Sequence, residues 1–172
     1  SVVAQFASGI DKTATVDTIP PLDTTVNLPG GLRLSNGDVL KTAEVKELTG
    51  ADEEAIAIIK NPGAKLNTIL ERGVVKIGHL TPGPIELDSL FAGDRDALLL
   101  GIRRVTFGDT EPLNATCMDC GKSQTVEVNL STDIDYTTFS EGSFANTISV
   151  DTKLGTIVLT YPNGVTQRKI AE

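Results

Sequence analysis

The sequence has no tryptophan, one histidine, one methionine and two cysteines. Aromatic residues make up only 4% of it, so any core must be built from Val, Ile, Leu and Ala. Two cysteines in 172 residues exclude a disulfide-dense scaffold. The single histidine, His79, stands between Gly78 and Leu80 and has no serine motif to serve, which leaves no Ser-His-Asp signature. The phosphate loop GxxxxGK followed by Ser or Thr is absent. No apolar run approaches the ~20 residues of a membrane-spanning helix. The opening SVVAQFASGIDK lacks the basic region and apolar run of a signal peptide. Positive charge is also scarce: 15 Lys and Arg stand against 23 Asp and Glu, a net charge of −8. Holding a phosphate backbone needs clustered cations. The expectation is a protein made in a reducing cytoplasm, with no membrane or nucleic-acid partner.

Hydrophobic residues make up 40% of the chain, enough for one globular domain. Residues 1–30 differ from the rest. TATVDTIPPLDTTVNLPGG is rich in Thr, Asp and Pro and has no clean period. It reads as an extended N-terminal arm, either a free tail or a segment that orders against a neighbouring subunit. Residues 31–172 read as a single α+β domain of a few short helices packed on antiparallel β-hairpins.

Within that domain, LRLSNGDVLKTAEV predicts a hairpin turning at Asn36-Gly37. ELTGADEEAIAIIKNPG predicts a helix with Thr49 as N-cap, stopped by Asn61-Pro62-Gly63. AKLNTILERG predicts a second helix, with Leu66, Ile69 and Leu70 on one face and Gly73 at its end. Residues 73–85 read as a loop, followed by a short turn or helix through Leu90. A stronger helix, with Asp94 as N-cap, carries Leu98, Ile102 and Val105 at helical spacing to Gly108. The period then changes to two. Leu113, Ala115 and Cys117 alternate with polar residues, as do Val126, Val128 and Leu130, which predicts two half-buried strands. Residues 131–150 are weakly patterned, and GTIVLTYPNGVTQRKI predicts a last hairpin turning at Asn163-Gly164.

Candidate chemistry gathers at TCMDCGK, residues 116–122. Structural zinc takes four ligands, most often Cys and His. Cys117, Cys120 and His79 supply at most three, so a zinc site would need a carboxylate, a water or a residue of another chain. The Gly after the second cysteine suits the knuckle turn of zinc ribbons, and metal on Cys117 and Cys120 with unknown partners stays open. Redox use of CxxC usually has a helix after the first cysteine to lower the thiolate pKa, and here a strand, TVEVNL, follows. A tight hairpin turn with small semi-polar side chains accounts for the pair best. Asp94 and Asp96 suit helix capping better than acid–base work, and Arg103-Arg104 suit either an acidic partner or a solvated helix face.

The order VKELTGADEEAIAII, a short helix, LDSLFAGDRDALLLGIRRVTFGD, a strand, CMDCG and a strand resembles a family of tailed-phage tail and baseplate proteins. That group includes the baseplate hub and hub-assembly proteins of T-even-type phages. The resemblance spans roughly residues 30–170 and includes the terminal LTYPNGVTQRKI. It implies no enzymatic activity and no cofactor. It implies instead a structural part in a phage tail or baseplate, within a symmetric assembly with other tail proteins, in the virion and made in the host cytoplasm. A transient assembly chaperone absent from the virion is the alternative. A small zinc-knuckle adaptor unrelated to phage is a third reading, carried by the cysteines alone.

Overall fold

A computed structural model describes residues 23–135, 137 and 146–171. Its centre is a three-stranded antiparallel sheet of β1 (Thr25–Arg33), β2 (Val39–Val45) and β3 (Val74–Ile77), in that order. β1 and β2 turn at Asn36-Gly37 as expected, with the Asn36 side-chain oxygen accepting from the Asp38 N–H at 3.0 Å. Two corrections concern this sheet. β1 begins at Thr25, so residues 25–30 of the expected arm are strand, with Val26 and Leu28 in the core. Residues 1–22, the rest of that arm, lie outside the described residues. The expected loop after Gly73 contains β3, a third strand with Val74 and Ile77 buried. VVKI is too short for its period to be seen against the glycines and prolines that follow.

The helices cover this sheet. α1 (Gly50–Ala57) starts at Thr49, whose hydroxyl accepts from the Asp52 N–H while the Asp52 carboxylate accepts from the Thr49 N–H at 2.9 Å. Arg72 donates to the same carboxylate at 2.7 Å and ties α1 to α2 (Pro62–Gly73). Asn61 caps α2 with Pro62 in its first turn, so Asn61-Pro62-Gly63 opens a helix as well as closing one. Leu70 is fully buried and Ile69 partly so, but Leu66 is exposed, which corrects its placement on the buried face. α3 (Pro84–Ser89) is the expected short helix.

α4 (Ala92–Phe107) is the core helix, burying Ala97, Leu98, Ile102 and Val105 against β1 and β2. Its N-cap is Phe91 rather than Asp94. Asp94 is instead fully buried, and its Oδ1 accepts the N–H groups of Gly30 at 2.6 Å and Gly31 at 3.0 Å. Those donors sit in a bulge of β1, where pairing with β2 shifts register between Asn27 and Leu32. Gly31 has φ +86 there, a conformation that favours glycine. The Pro29-Gly30-Gly31 stretch is therefore where the central helix is fastened to the edge of the sheet.

The C-terminal segment is a further correction. Asn163-Gly164 is not a hairpin turn. Asn163 caps α5 (Gly164–Ala171), its side-chain oxygen accepting from the Thr166 N–H at 3.0 Å. α5 packs on α2, α3 and α4 around the buried Arg95. The Arg95 guanidinium donates to Gln167 of α5 at 2.7 Å, to the Leu87 carbonyl of α3 at 2.9 Å, and to Asn67 of α2. Asp88 stands 3.8 Å away and also pairs with Arg168 at 2.6 Å. Gly164 lies so close that a Cβ would come within 2.6 Å of the guanidinium and 2.8 Å of the Asp88 backbone. A small residue is needed at that position.

Candidate functional site

Four further strands form two separate ribbons. β4 (Thr110–Thr116) pairs with β5 (Ser123–Asn129), and β6 (Thr147–Thr152) pairs with β7 (Gly155–Thr160), both antiparallel. The first is the expected pair of strands joined by the cysteine turn. In the second, GTIVLT pairs backward with TISVDT from the weakly patterned region. Both ribbons are rich in Thr and Val, and β6–β7 adds Ile148 and Ile157, residues that suit a pleated strand. Side chains directly opposite each other share a face, so the register decides what each face presents.

In β6–β7 one face carries the pairs Ile148–Leu159 and Val150–Ile157. All four are exposed, from 38% to 49%. The other face carries Thr147, Thr160, Ser149, Val158, Asp151 and Thr156. In β4–β5 one face carries Leu113–Val126, with Ala115 and Val128 beside them in the same rows. Leu113 and Val126 are 48% and 41% exposed. The opposite face is polar and includes a hydrogen bond from Thr125 to Asn114. The alternation therefore has the expected period but not the expected burial. Each ribbon carries an apolar row that nothing in the described chain covers.

The ribbons are rooted at opposite ends of α4. At its C-terminus, Arg104 pairs with Asp109 at 2.7 Å, and Arg103 pairs with Glu111 while lying 4.7 Å over the Phe107 ring. The Arg103-Arg104 pair thus meets acidic partners in its own chain, at the base of β4. At the N-terminus, Ala92 N–H donates to the Pro162 carbonyl at 2.8 Å, and Tyr161 meets Phe91 edge to face with centroids 5.9 Å apart. The 16 residues of α4 separate the two roots by about 24 Å.

The cysteines lie at the free tip of β4–β5. Cys117 N–H donates to the Lys122 carbonyl and Gly121 N–H to the Cys117 carbonyl, both at 2.9 Å. Gly121 has φ +68, which lets the turn close. The Cys117 thiol is held below its ordinary pKa by the backbone N–H groups of Cys120 and Asp119 and then by the Cys120 side chain. His79 sits exposed in the turn after β3 and does not join them. Among the described residues no group of three or more His, Cys, Asp or Glu is placed to hold a metal. Asp94 and Asp96 do not act as a pair either, one being buried in the core and the other exposed. A groove of about 300 Å³ beside Phe91 and Tyr161 has, among the described residues, no carboxylate, histidine or thiol in its lining.

The register of the ribbons, and the exposed apolar rows it creates, had a signal in the sequence only for β4–β5. For β6, a strand with Thr, Ser and Asp on one face and two aliphatics on the other gave too short an alternation. A family model described as T4 bacteriophage base plate protein matches residues 19–170. No curated protein and no solved structure matches the chain.

Proposed function

The chain belongs to the T4 bacteriophage base plate protein family, and from that premise we propose that it is a non-enzymatic structural component of the phage tail or baseplate. It acts by contacts with other tail proteins in a symmetric assembly. The observation that carries this reading is the pair of β-ribbons with uncovered apolar rows. An isolated two-stranded ribbon is marginal in water, and a row of exposed Ile, Val and Leu gains by being covered. A neighbour that packs on the row removes this surface from water and orders the ribbon together.

The arrangement suits an element that bridges neighbours. Two adhesive rows leave a compact core from opposite ends of one helix, and they can meet different surfaces. The acidic character of the chain, net −8, fits protein partners better than nucleic acid. The family match also favours the phage readings over an adaptor unrelated to phage.

Built-in subunit and transient chaperone both use such rows, and the virion separates them. We expect mass spectrometry of purified virions to find this chain at a fixed copy number in the baseplate. Its absence from virions, together with binding to a tail protein in the infected cell, would replace the subunit reading with the chaperone. Light scattering of the pure protein with other tail proteins tests the reading itself. A chain that stays monomeric and joins no tail particle would overturn it.

A further inference from the structure

We propose that a cavity at the start of α4 receives the cationic side chain, lysine or arginine, of a partner protein. The cavity has a volume of about 320 Å³ and lies between the β1 bulge, the first turn of α4 and the residues that follow β7. That volume is at the small end of ligand pockets. Its walls are mainly apolar, from Pro29, Phe91, Ala92, Tyr161 and Pro162, and two carboxylates, Asp94 and Asp135, complete them. Among the described residues the lining has no Lys or Arg. An apolar sleeve that ends in negative charge suits an aliphatic stem with a positive head.

Asp135 alone would be one more exposed acid on an acidic chain. Asp94 supplies a second and independent observation. It is fully buried, and its Oδ1 accepts the N–H groups of Gly30 and Gly31, but its Oδ2 has no hydrogen-bond partner among the described residues. A buried carboxyl oxygen left so is costly in either state, because a protonated one needs an acceptor and an ionised one a donor or a cation. Oδ2 is turned to the part of the wall made by Gly30 and Phe91. At Gly30 that wall is bare backbone: a Cβ there would stand 2.7 Å from Oδ2 and 2.5 Å from the Phe91 ring. A cation seated against this wall favours the charge that burial disfavours at Asp94. Lys41 does not fill the cavity, since its ammonium donates to the Pro29 carbonyl at 3.2 Å and the residue is not part of the lining. The start of α4 contributes about half a positive charge, less than the two carboxylates together can hold. The chain as a whole, with 23 acidic residues against 15 basic ones, is also complementary to a basic partner.

That the side chain belongs to a tail protein rests on the function proposed above; the chemistry of the cavity does not. The test is a nuclear magnetic resonance titration of the full chain with three probes: acetyl-lysine amide, acetyl-arginine amide and, as the uncharged control, acetyl-norleucine amide. At least one cationic probe should give saturable shifts in the millimolar range at the amides of Gly30, Gly93 and Asp135, and the norleucine probe should give none. Asp135→Asn, at an exposed position, should keep the parent's circular dichroism and weaken the cationic probe about threefold. Asp94→Asn keeps an acceptor for the two glycine N–H groups and should weaken it further; should that variant fail to fold, Asp135→Asn decides. No saturable shift, an equal response to norleucine, or binding indifferent to Asp135→Asn would each overturn the proposal. A chain that enters tail particles but takes neither cationic probe refutes the cavity and leaves the assembly reading standing. A chain that takes a probe as expected and enters no particle does the reverse.

Discussion

Asp94 is a carboxylate buried in the core of the molecule, and its work is done through the backbone of another element. It receives two N–H groups of the β1 bulge that the sheet ladder cannot use. Asp94→Ala leaves both donors buried without a partner, at about 1–3 kcal/mol each before relaxation. Urea unfolding should therefore show a loss of about 2–4 kcal/mol, concentrated at the β1–α4 contact. Asp52 and Asp94 also respond to acid in opposite directions. Hydrogen bonds from Arg72 and Thr49 hold the Asp52 carboxyl well below the usual range of 3.8, whereas burial pushes Asp94 above it. A lowered carboxyl stabilises the fold above its unfolded pKa, and that contribution fades as pH falls through the folded one. A raised carboxyl contributes below its unfolded pKa and loses the contribution as pH rises. The stability gap between the parent and Asp52→Asn should thus be larger at pH 7 than at pH 3. A gap that is unchanged between those two pH values would contradict the Arg72 and Thr49 assignment.

At the scale of elements, the buried Arg95 holds α2, α3 and α5 around α4. Removing one partner of a buried charged network costs about 3–5 kcal/mol, because the remaining charge is left uncompensated. Arg95→Ala should destabilise by that order and speed amide exchange first in Gly164–Ala171, the helix it fastens. Gly164→Ala should cost about 1–3 kcal/mol by overpacking against Arg95 and Asp88. Equal exchange rates for α5 in the parent and in Arg95→Ala would contradict this role. Legibility also divides by element. Thr49, the Leu98–Ile102–Val105 spacing and the alternation around the cysteines stated their structures openly, because capping and period are local signals. β3 and β6 did not, since a strand of four to six residues takes its identity from its pairing partner. Asn163-Gly164 misled for a related reason. Asn-Gly suits a hairpin turn, but Asn is an equally good N-cap, and the packing on Arg95 decided between them. Asp94 looked like a cap because helix starts favour carboxylates. Only the tertiary structure shows the glycine bulge it serves.

The whole molecule is a closed core with two open attachments. The core buries Leu28, Leu32, Leu70, Ile77, Leu90, Leu98 and Ile102, while the ribbons leave comparable side chains uncovered. β4, β5 and β7 were legible as strands and β6 was not, and the exposure of all four was hidden, because a sequence shows which side chains share a face and not what lies against it. On the proposed function, these rows are contact surfaces of a baseplate subunit. The most direct measurement supplies an Ile148→Ser/Leu159→Ser variant in place of the parent during phage assembly and counts the chain in purified baseplates. Polar residues on an exposed row should leave the core folded, as circular dichroism would verify, so a loss of incorporation reports on contact. The expected result is a folded variant reduced at least tenfold in baseplates. A folded variant that enters baseplates at the parent's level would contradict it.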